Sequence, residues 1–287
     1  MQNKVFYCAE VAQKIKDEVK KWFSEFADIK KAPPTLAVVQ VGNIPASRTY
    51  VRNKELACEY VGVRSEKHHL PETIKEEELL ELIDTLNKDD SVHGILVQLP
   101  LPKHMDTQKV IKAITPLKDV DGFHIENVGA LSTGMECIKP CTPYGVIQIL
   151  KAMNVDVAGK HCVILGRSNI VGKPMAQLML QEDATVTVCH SQTKDLWKHI
   201  MQADILISAI GKAKFIANPE IIKRDAVIID VGINRDENGK LCGDIEITDE
   251  LLERVSFITP VPKGVGVMTV AMLMYNVMTA YKLQTLK

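Results

Sequence analysis

The run Val163-Ile164-Leu165-Gly166-Arg167-Ser168-Asn169-Ile170-Val171-Gly172-Lys173-Pro174 commits the chain to a strand, a glycine-bounded loop and a helix in immediate succession. Parallel α/β sheets are wound from such corners, and the N–H groups at the helix start can face an anion with no side chain in the way. The usual dinucleotide spacing puts glycines at the first, third and sixth places, whereas Ser168 and Val171 hold the last two here, so the loop alone also fits an ordinary corner without a ligand. About 20 residues on, a second strand over 184–188 ends in Cys189-His190-Ser191-Gln192-Thr193. No acid stands there to meet a ribose hydroxyl, as an NAD-selective fold would require. Arg167 and Ser191 suit a 2′-phosphate instead, the arginine through its planar fork, so the pattern points to NADP.

At 287 residues the chain is longer than a single core usually grows, and two domains are expected. A net charge of −1 argues against nucleic acid or an anionic membrane as a general partner. The seven cysteines are scattered, with no Cys-x-x-Cys, so neither a disulfide framework nor a metal site is expected and a reducing cytoplasm fits best. No signal peptide is read, and the longest apolar stretch, near 267–278, is too short for a bilayer.

The first half alternates helix (9–27), strand (36–41), helix (45–60), strand (63–70), helix and strand (94–97), which predicts a largely parallel sheet. The third helix should start at a capping box of Thr73 with Glu76, and Leu79, Leu80, Ile83 and Leu86 share one of its faces. A stretch rich in glycine, proline and charge, 116–143, interrupts the rhythm before helix 144–153. The domain joint is expected there, giving 1–141 for substrate chemistry and 142–267 for the nucleotide. Strands over 163–165, 184–188, 205–208, 227–230 and 257–259 make the second part a doubly wound domain. The apolar last helix, within 268–287, should return to the first part.

Tyr50 and Lys54 lie four apart on a helix and share a face, as do many solvated pairs. Short-chain dehydrogenases also carry Tyr-x-x-x-Lys, but after the glycine loop; here it comes before. Gln98 ends a parallel strand, where open α/β sheets place their ligands, and Pro100 and Pro102 stiffen the wall beyond it. Its amide is suited to orient the Lys54 amine. Asp121, before Gly122, is either a backbone-capping carboxylate or a bidentate acceptor for a ligand with two adjacent N–H donors, such as an aminopyrimidine.

Tyr50-x-x-x-Lys54, Gln98-Leu99-Pro100-Leu101-Pro102, Asp119-Val120-Asp121-Gly122-Phe123-His124, the Gly166–Pro174 loop and Asp230-Val231-Gly232-Ile233-Asn234 stand in the order of one family. Over essentially its whole length the chain resembles the bifunctional methylenetetrahydrofolate dehydrogenase/methenyltetrahydrofolate cyclohydrolases. The resemblance implies an α/β fold in two domains, an N-terminal three-layer domain with a mostly parallel sheet and a C-terminal Rossmann-like NADP-binding domain. It implies a homodimer formed through the nucleotide domains and a cytoplasmic place in one-carbon metabolism, with tetrahydrofolate derivatives, polyglutamylated or not, as substrates. Lys54, Gln98, Tyr50 and Asp121 would be catalytic, and Leu99, Pro100, Gly264 and Thr269 would join them around the folate. Gly166, Arg167, Ser168, Val171, Gly172, Ser191, Gly211 and Ile233 would hold NADP, with no metal required.

The implied chemistry is oxidation of 5,10-methylenetetrahydrofolate to the methenyl cation, then hydrolysis to 10-formyltetrahydrofolate. The chain departs from the family at Pro262-Lys263-Gly264-Val265-Gly266-Val267-Met268-Thr269, where Lys263 replaces the usual glycine and Val267 the usual proline. Two alternatives are a shikimate-dehydrogenase-like NADP oxidoreductase and a non-catalytic folate or dinucleotide sensor.

Overall fold

The computed structural model describes residues 4–27, 33–42 and 45–285, with the backbone alone given for 26–27 and 45–51. The chain forms two compact units, Gln13–Cys141 with Val270–Lys287, and Met1–Ala12 with Thr142–Thr269. The opening residues depart from the expected 1–141 span: Val5 bridges to Ile258 and the Phe6 N–H donates to the Ile258 carbonyl at 2.8 Å, so the described opening residues, 4–12, cluster with the second half of the chain.

The first unit contains α1 (Ala9–Ala27, from Gln13 on), β1 (Thr35–Val41), α2 (Pro45–Val61), β2 (Arg64–Leu70), α3 (Glu76–Lys88), β3 (Gly94–Val97), α4 (Thr107–Ala113) and α5 (Ile125–Ser132). Its three strands are parallel in the order β2-β1-β3. The apolar run Leu36-Ala37-Val38-Val39 is buried because β1 is the middle strand, whereas β2, rich in charge and histidine, lies at an edge. Alternate residues Ala37, Val39 and Val41 form one core with Leu79, Ile83 and Leu86 of α3 and Val110 and Ile114 of α4. The α3 start differs from expectation by two residues: the Glu78 carboxylate, not Glu76, reaches back to accept from the Lys75 N–H at 3.1 Å, because Lys75 is the last extended residue. Glu76 instead accepts from the Asp106 N–H at 2.6 Å and pairs with Lys109.

The second unit contains α6 (Cys141–Ala152, from Thr142 on), β4 (His161–Leu165), α7 (Gly172–Gln181), β5 (Thr185–Cys189), α8 (Leu196–Ile200), β6 (Ile205–Ser208), β7 (Val227–Asp230), β8 (Asn234–Arg235), β9 (Leu241–Cys242), α9 (Asp249–Arg254), β10 (Phe257–Ile258) and the first turn of α10 (Val265–Thr285). Five parallel strands run β10-β7-β6-β4-β5. From β4 the chain steps outward to β5 and then returns to β6 on the other side, so the winding reverses between β4 and β6. Open α/β sheets hold their ligands beyond the strand ends at such a reversal. β5 is an edge strand, with Val186, Thr187 and Val188 half-buried. The small β8–β9 hairpin turns on Asn238-Gly239, a strong local hairpin signal.

The rest of α10 belongs to the first unit. Tyr281 packs edge-on against Trp22 and Phe23 of α1, with ring centroids 6.0 Å from each. Asn276, a lone amide in an otherwise apolar stretch, donates to the Val120 and Lys139 carbonyls at 2.8 Å each and so fixes the segment that carries Asp121. Among the described residues no helix is long and apolar enough to cross a membrane.

Candidate functional site

In the first unit Lys54 rises from α2 with only 8% of its surface exposed. Its Nζ donates to Gln98 Oε1 at 2.9 Å. Gln98 is the first residue past β3, and its backbone N–H donates to the Val39 carbonyl at 2.8 Å, which pins it at the strand end. The other end of its amide, Nε2, donates to the Leu99 carbonyl at 2.9 Å, so the oxygen is turned toward the lysine. Leu99 is half-buried, Pro100 is exposed, and the peptide joining them is cis. Tyr50 stands one turn before Lys54 on α2; its side chain lies outside the described residues.

Of the two aspartates in Asp119-Val120-Asp121-Gly122, it is Asp119 that caps the backbone. Its carboxylate accepts from the N–H groups of Gly122 (3.2 Å) and His124 (2.7 Å) and from Asn127 Nδ2 (3.1 Å). Gly122 is required by this turn: its φ is +73°, and a Cβ would sit 2.7 Å from the Ile138 carbonyl oxygen. The residue before the motif and its last member are also structural. Lys118 Nζ donates to the carbonyls of Leu86 and Asn87 in the last turn of α3 and of Asp89 just past it, and His124 Nδ1 accepts from the Glu126 N–H to cap α5. Asp121 is left over. No hydrogen bond joins its carboxyl to another described side chain or backbone group, and burial pushes it up to about 6, opposed by the positive charge of Lys54. Lys54, Gln98 and Asp121 thus share one site: an amine, an amide that orients it, and a carboxylate with free acceptor capacity.

In the second unit the glycine loop leaves β4 beside the exit of β5, where the Gly166 N–H donates to the Cys189 carbonyl at 2.8 Å. Arg167 and Ser191, within two residues of that bond, therefore emerge from neighbouring strand ends. Both are exposed, and no described acid pairs with Arg167. Gly166 has φ +111°, and a Cβ there would strike the Ala209 carbonyl; a Cβ on Gly172 would strike the Gly166 carbonyl. The loop thus passes close against its neighbours with no side chain between. Ser168 has a local duty that the sequence did not disclose: its Oγ accepts from the Val171 and Gly172 N–H groups at 3.1 and 3.3 Å, covering donors expected to face a ligand. Gly211, with φ +66° and open space around it, and Ile233, half exposed, follow β6 and β7 beyond the same edge of the sheet. Gly264 packs where a Cβ would meet the Pro260 carbonyl, and Thr269 Oγ1 lies 2.9 Å from Thr142 Oγ1. Lys263 holds φ +75°, the left-handed conformation natural to the glycine expected there. The sequence reading missed Asp244 altogether and gave no role to Asp230, although it stands in the Asp230–Asn234 motif; both are buried beside the loops after β6 and β7.

The profile "Tetrahydrofolate dehydrogenase/cyclohydrolase, catalytic domain" matches residues 6–121, and "Tetrahydrofolate dehydrogenase/cyclohydrolase, NAD(P)-binding domain" matches 140–285. The "Bifunctional protein FolD" of Agathobacter rectalis is 57% identical over 274 residues, covering 95% of this chain and 96% of its own. The Campylobacter jejuni FolD methylenetetrahydrofolate dehydrogenase/cyclohydrolase superposes with a TM-score of 0.91 at 49% identity, over 96% of both chains. A Trypanosoma brucei enzyme of the same name, solved with NADP cofactor and an inhibitor, gives 0.91 at 37% identity over 97% of both. A chorismate mutase/shikimate 5-dehydrogenase fusion from Clostridium acetobutylicum reaches only 0.51 at 13% identity, over 89% of this chain and 92% of its own, a likeness of fold alone. Profiles across both halves and the close relatives therefore establish that the chain belongs to the tetrahydrofolate dehydrogenase/cyclohydrolase family.

Proposed function

We propose that the protein is an NADP-dependent methylenetetrahydrofolate dehydrogenase and methenyltetrahydrofolate cyclohydrolase, and that one pocket serves both reactions. The observation that carries this reading is the Lys54–Gln98 hydrogen bond beside a carboxylate, Asp121, that no described residue hydrogen-bonds. Asp121 would accept from adjacent N–H donors of the pterin, and Tyr50 would stack on it. Leu99 and Pro100 would form the wall. In the hydrolytic step a proton must leave the attacking water and another must reach the ring nitrogen. Lys54 Nζ is the group that moves them, held in line by Gln98.

The close-packed glycines at the two ends of the loop, and Arg167, which no described acid pairs, fit a dinucleotide with an added phosphate. Gly166, Ser168, Val171 and Gly172 would line its pyrophosphate, Arg167 and Ser191 would take the 2′-phosphate, and Gly211 and Ile233 would flank the rest. Bound there, NADP⁺ supplies the hydride acceptor for the first reaction. The chain's own contribution to that step is alignment. The exposed edge of β5 supports a homodimer formed through the second units, and the free cysteines fit a cytoplasmic enzyme.

Lys54→Met tests the chemistry, since it keeps the side chain's length and removes its amine. Cyclohydrolase activity should fall about 100- to 10,000-fold while folate binding persists and some dehydrogenase activity remains. Full cyclohydrolase activity in the folded variant would remove Lys54 from the mechanism. Arg167→Ala should cost roughly ten- to a hundredfold in NADP use and leave NAD use nearly unchanged. Equal losses for both cofactors would return Arg167 to a general packing role. Turnover of methylenetetrahydrofolate by the wild type excludes the sensor reading.

A further inference from the structure

Between the ends of β6 and β7 lie two fully buried carboxylates, Asp230 and Asp244, 2% and 0% exposed. Asp244 Oδ2 accepts from Ser208 Oγ and the Ile210 N–H, and its Oδ1 from the Lys212 N–H and Asn234 Nδ2, each at 2.9 Å. Asp230 Oδ1 accepts from the Gly232 and Asp244 N–H groups at 3.0 Å each, and its Oδ2 from the Ile245 N–H at 2.9 Å. All seven donors are neutral. Gly232 and Gly243 have no Cβ because one would collide with the carboxyls of Asp244 and Asp230 respectively.

Two adjacent buried carboxylates that no described cation pairs make a poor stabilising device, since each has surrendered its hydration. Burial drives Asp230 up to about 7 even though three N–H groups favour its ionised form. What the pair does accomplish is geometric. Residues 210 and 212, on either side of Gly211, hang from one carboxylate, and residues 232 and 234, on either side of Ile233, hang from the two together. These loops leave the sheet at its ligand-holding edge, and β6 adjoins the reversal of winding. A group that fixes ligand-facing loops from behind governs affinity without contact.

We infer that Asp244, seconded by Asp230, is a positioning residue for the dinucleotide, setting the spacing of the Gly211 and Ile233 loops and thereby the affinity for the cofactor. The inference rests on the function proposed above. It differs from the role of Arg167 in one measurable respect: backbone loops held from behind carry no preference for the 2′-phosphate, so loss of Asp244 should weaken NADP⁺ and NAD⁺ alike.

The test is titration calorimetry of the full-length Asp244→Asn protein with NADP⁺ and with NAD⁺, alongside cyclohydrolase turnover of methenyltetrahydrofolate without added cofactor. An asparagine keeps the shape but turns an NH₂ toward N–H donors, so both dissociation constants should rise about tenfold, as loss of one charged hydrogen bond implies, with their ratio unchanged and cyclohydrolase activity within about twofold of wild type. Unchanged cofactor affinities overturn the inference, and so does a loss confined to NADP⁺. If Asp244→Asn fails to fold, Asn234→Ala removes only one of the four donors and should raise both constants about threefold; no rise there overturns the inference equally. A wild-type protein that binds neither dinucleotide refutes the proposed function, and the inference with it. A wild type that binds both while the variants match it refutes the inference alone.

Discussion

Asp121 in the first unit and Asp244 in the second are both carboxylates drawn into the protein just beyond a sheet, and the chain treats them oppositely. Asp244 is met by four donors of its own chain, whereas Asp121 receives none from another described residue and feels Lys54 only through its charge. The same contrast recurs within three residues of one loop, where Asp119 is saturated and Asp121 is not. A carboxylate whose acceptor capacity is consumed internally is architecture. One drawn in and left unconsumed lowers stability, and a ligand is what can use it.

The largest effect on stability should come from Asp244→Ala, which strands four donors. We expect a loss of about 3 kcal/mol or more, read by chemical denaturation. A loss under about 1 kcal/mol would mean that water replaces the carboxylate and the contrast is false. Asp121→Ala should leave folding intact but raise the KM for folate in both reactions, about ten- to a hundredfold for one charged bidentate contact. The effect is also one of pH. Asp121 accepts hydrogen bonds on both oxygens only when ionised, so folate affinity should fall as pH drops through about 6, and Asp121→Asn should flatten that dependence. The smallest of these effects is expected for Ser168→Ala, about 1 kcal/mol of stability through loss of the hydrogen bonds its Oγ accepts from the Val171 and Gly172 N–H groups at the entry to α7. Tighter NADP⁺ binding in that variant would show that the serine competes with the ligand for the Val171 and Gly172 N–H groups.

Sequence legibility follows the same division. The glycine corner, the alternation of strand and helix and the Lys54–Gln98 partnership were readable because each announces itself through local pattern or through position at a strand end. Thr73 and Glu76 misled by two residues because Glu78, three residues past the extended Lys75, reaches back to the Lys75 N–H once the backbone sets the helix start, and a lysine has no acceptor to mark the box from its own side. Asp119 and Asp121 were inseparable on paper, since both sit in one turn ahead of Gly122. Only the fold, by bringing Asn127 and the His124 N–H to one of them, assigns the capping role. Asp244 was invisible because most of its partners, Ser208, Ile210 and Lys212, lie more than thirty residues away. Asn276 did leave a trace, an amide in the apolar middle of a helix, whose partners again come from distant chain.

The most direct test of the contrast is thermal unfolding of Asp121→Asn at pH 8. Asp121 binds its proton more tightly in the folded than in the unfolded chain, so folding is penalised as pH rises from about 4 to about 6, and the penalty is complete above that. Replacing the carboxylate by a neutral amide should therefore stabilise the protein at pH 8 by about 1–2 kcal/mol, a rise in Tm of roughly 2–6 °C that fades toward pH 4, while folate affinity falls. A Tm that drops at pH 8 would show that Asp121 is held by its own chain as Asp244 is, and would contradict the account.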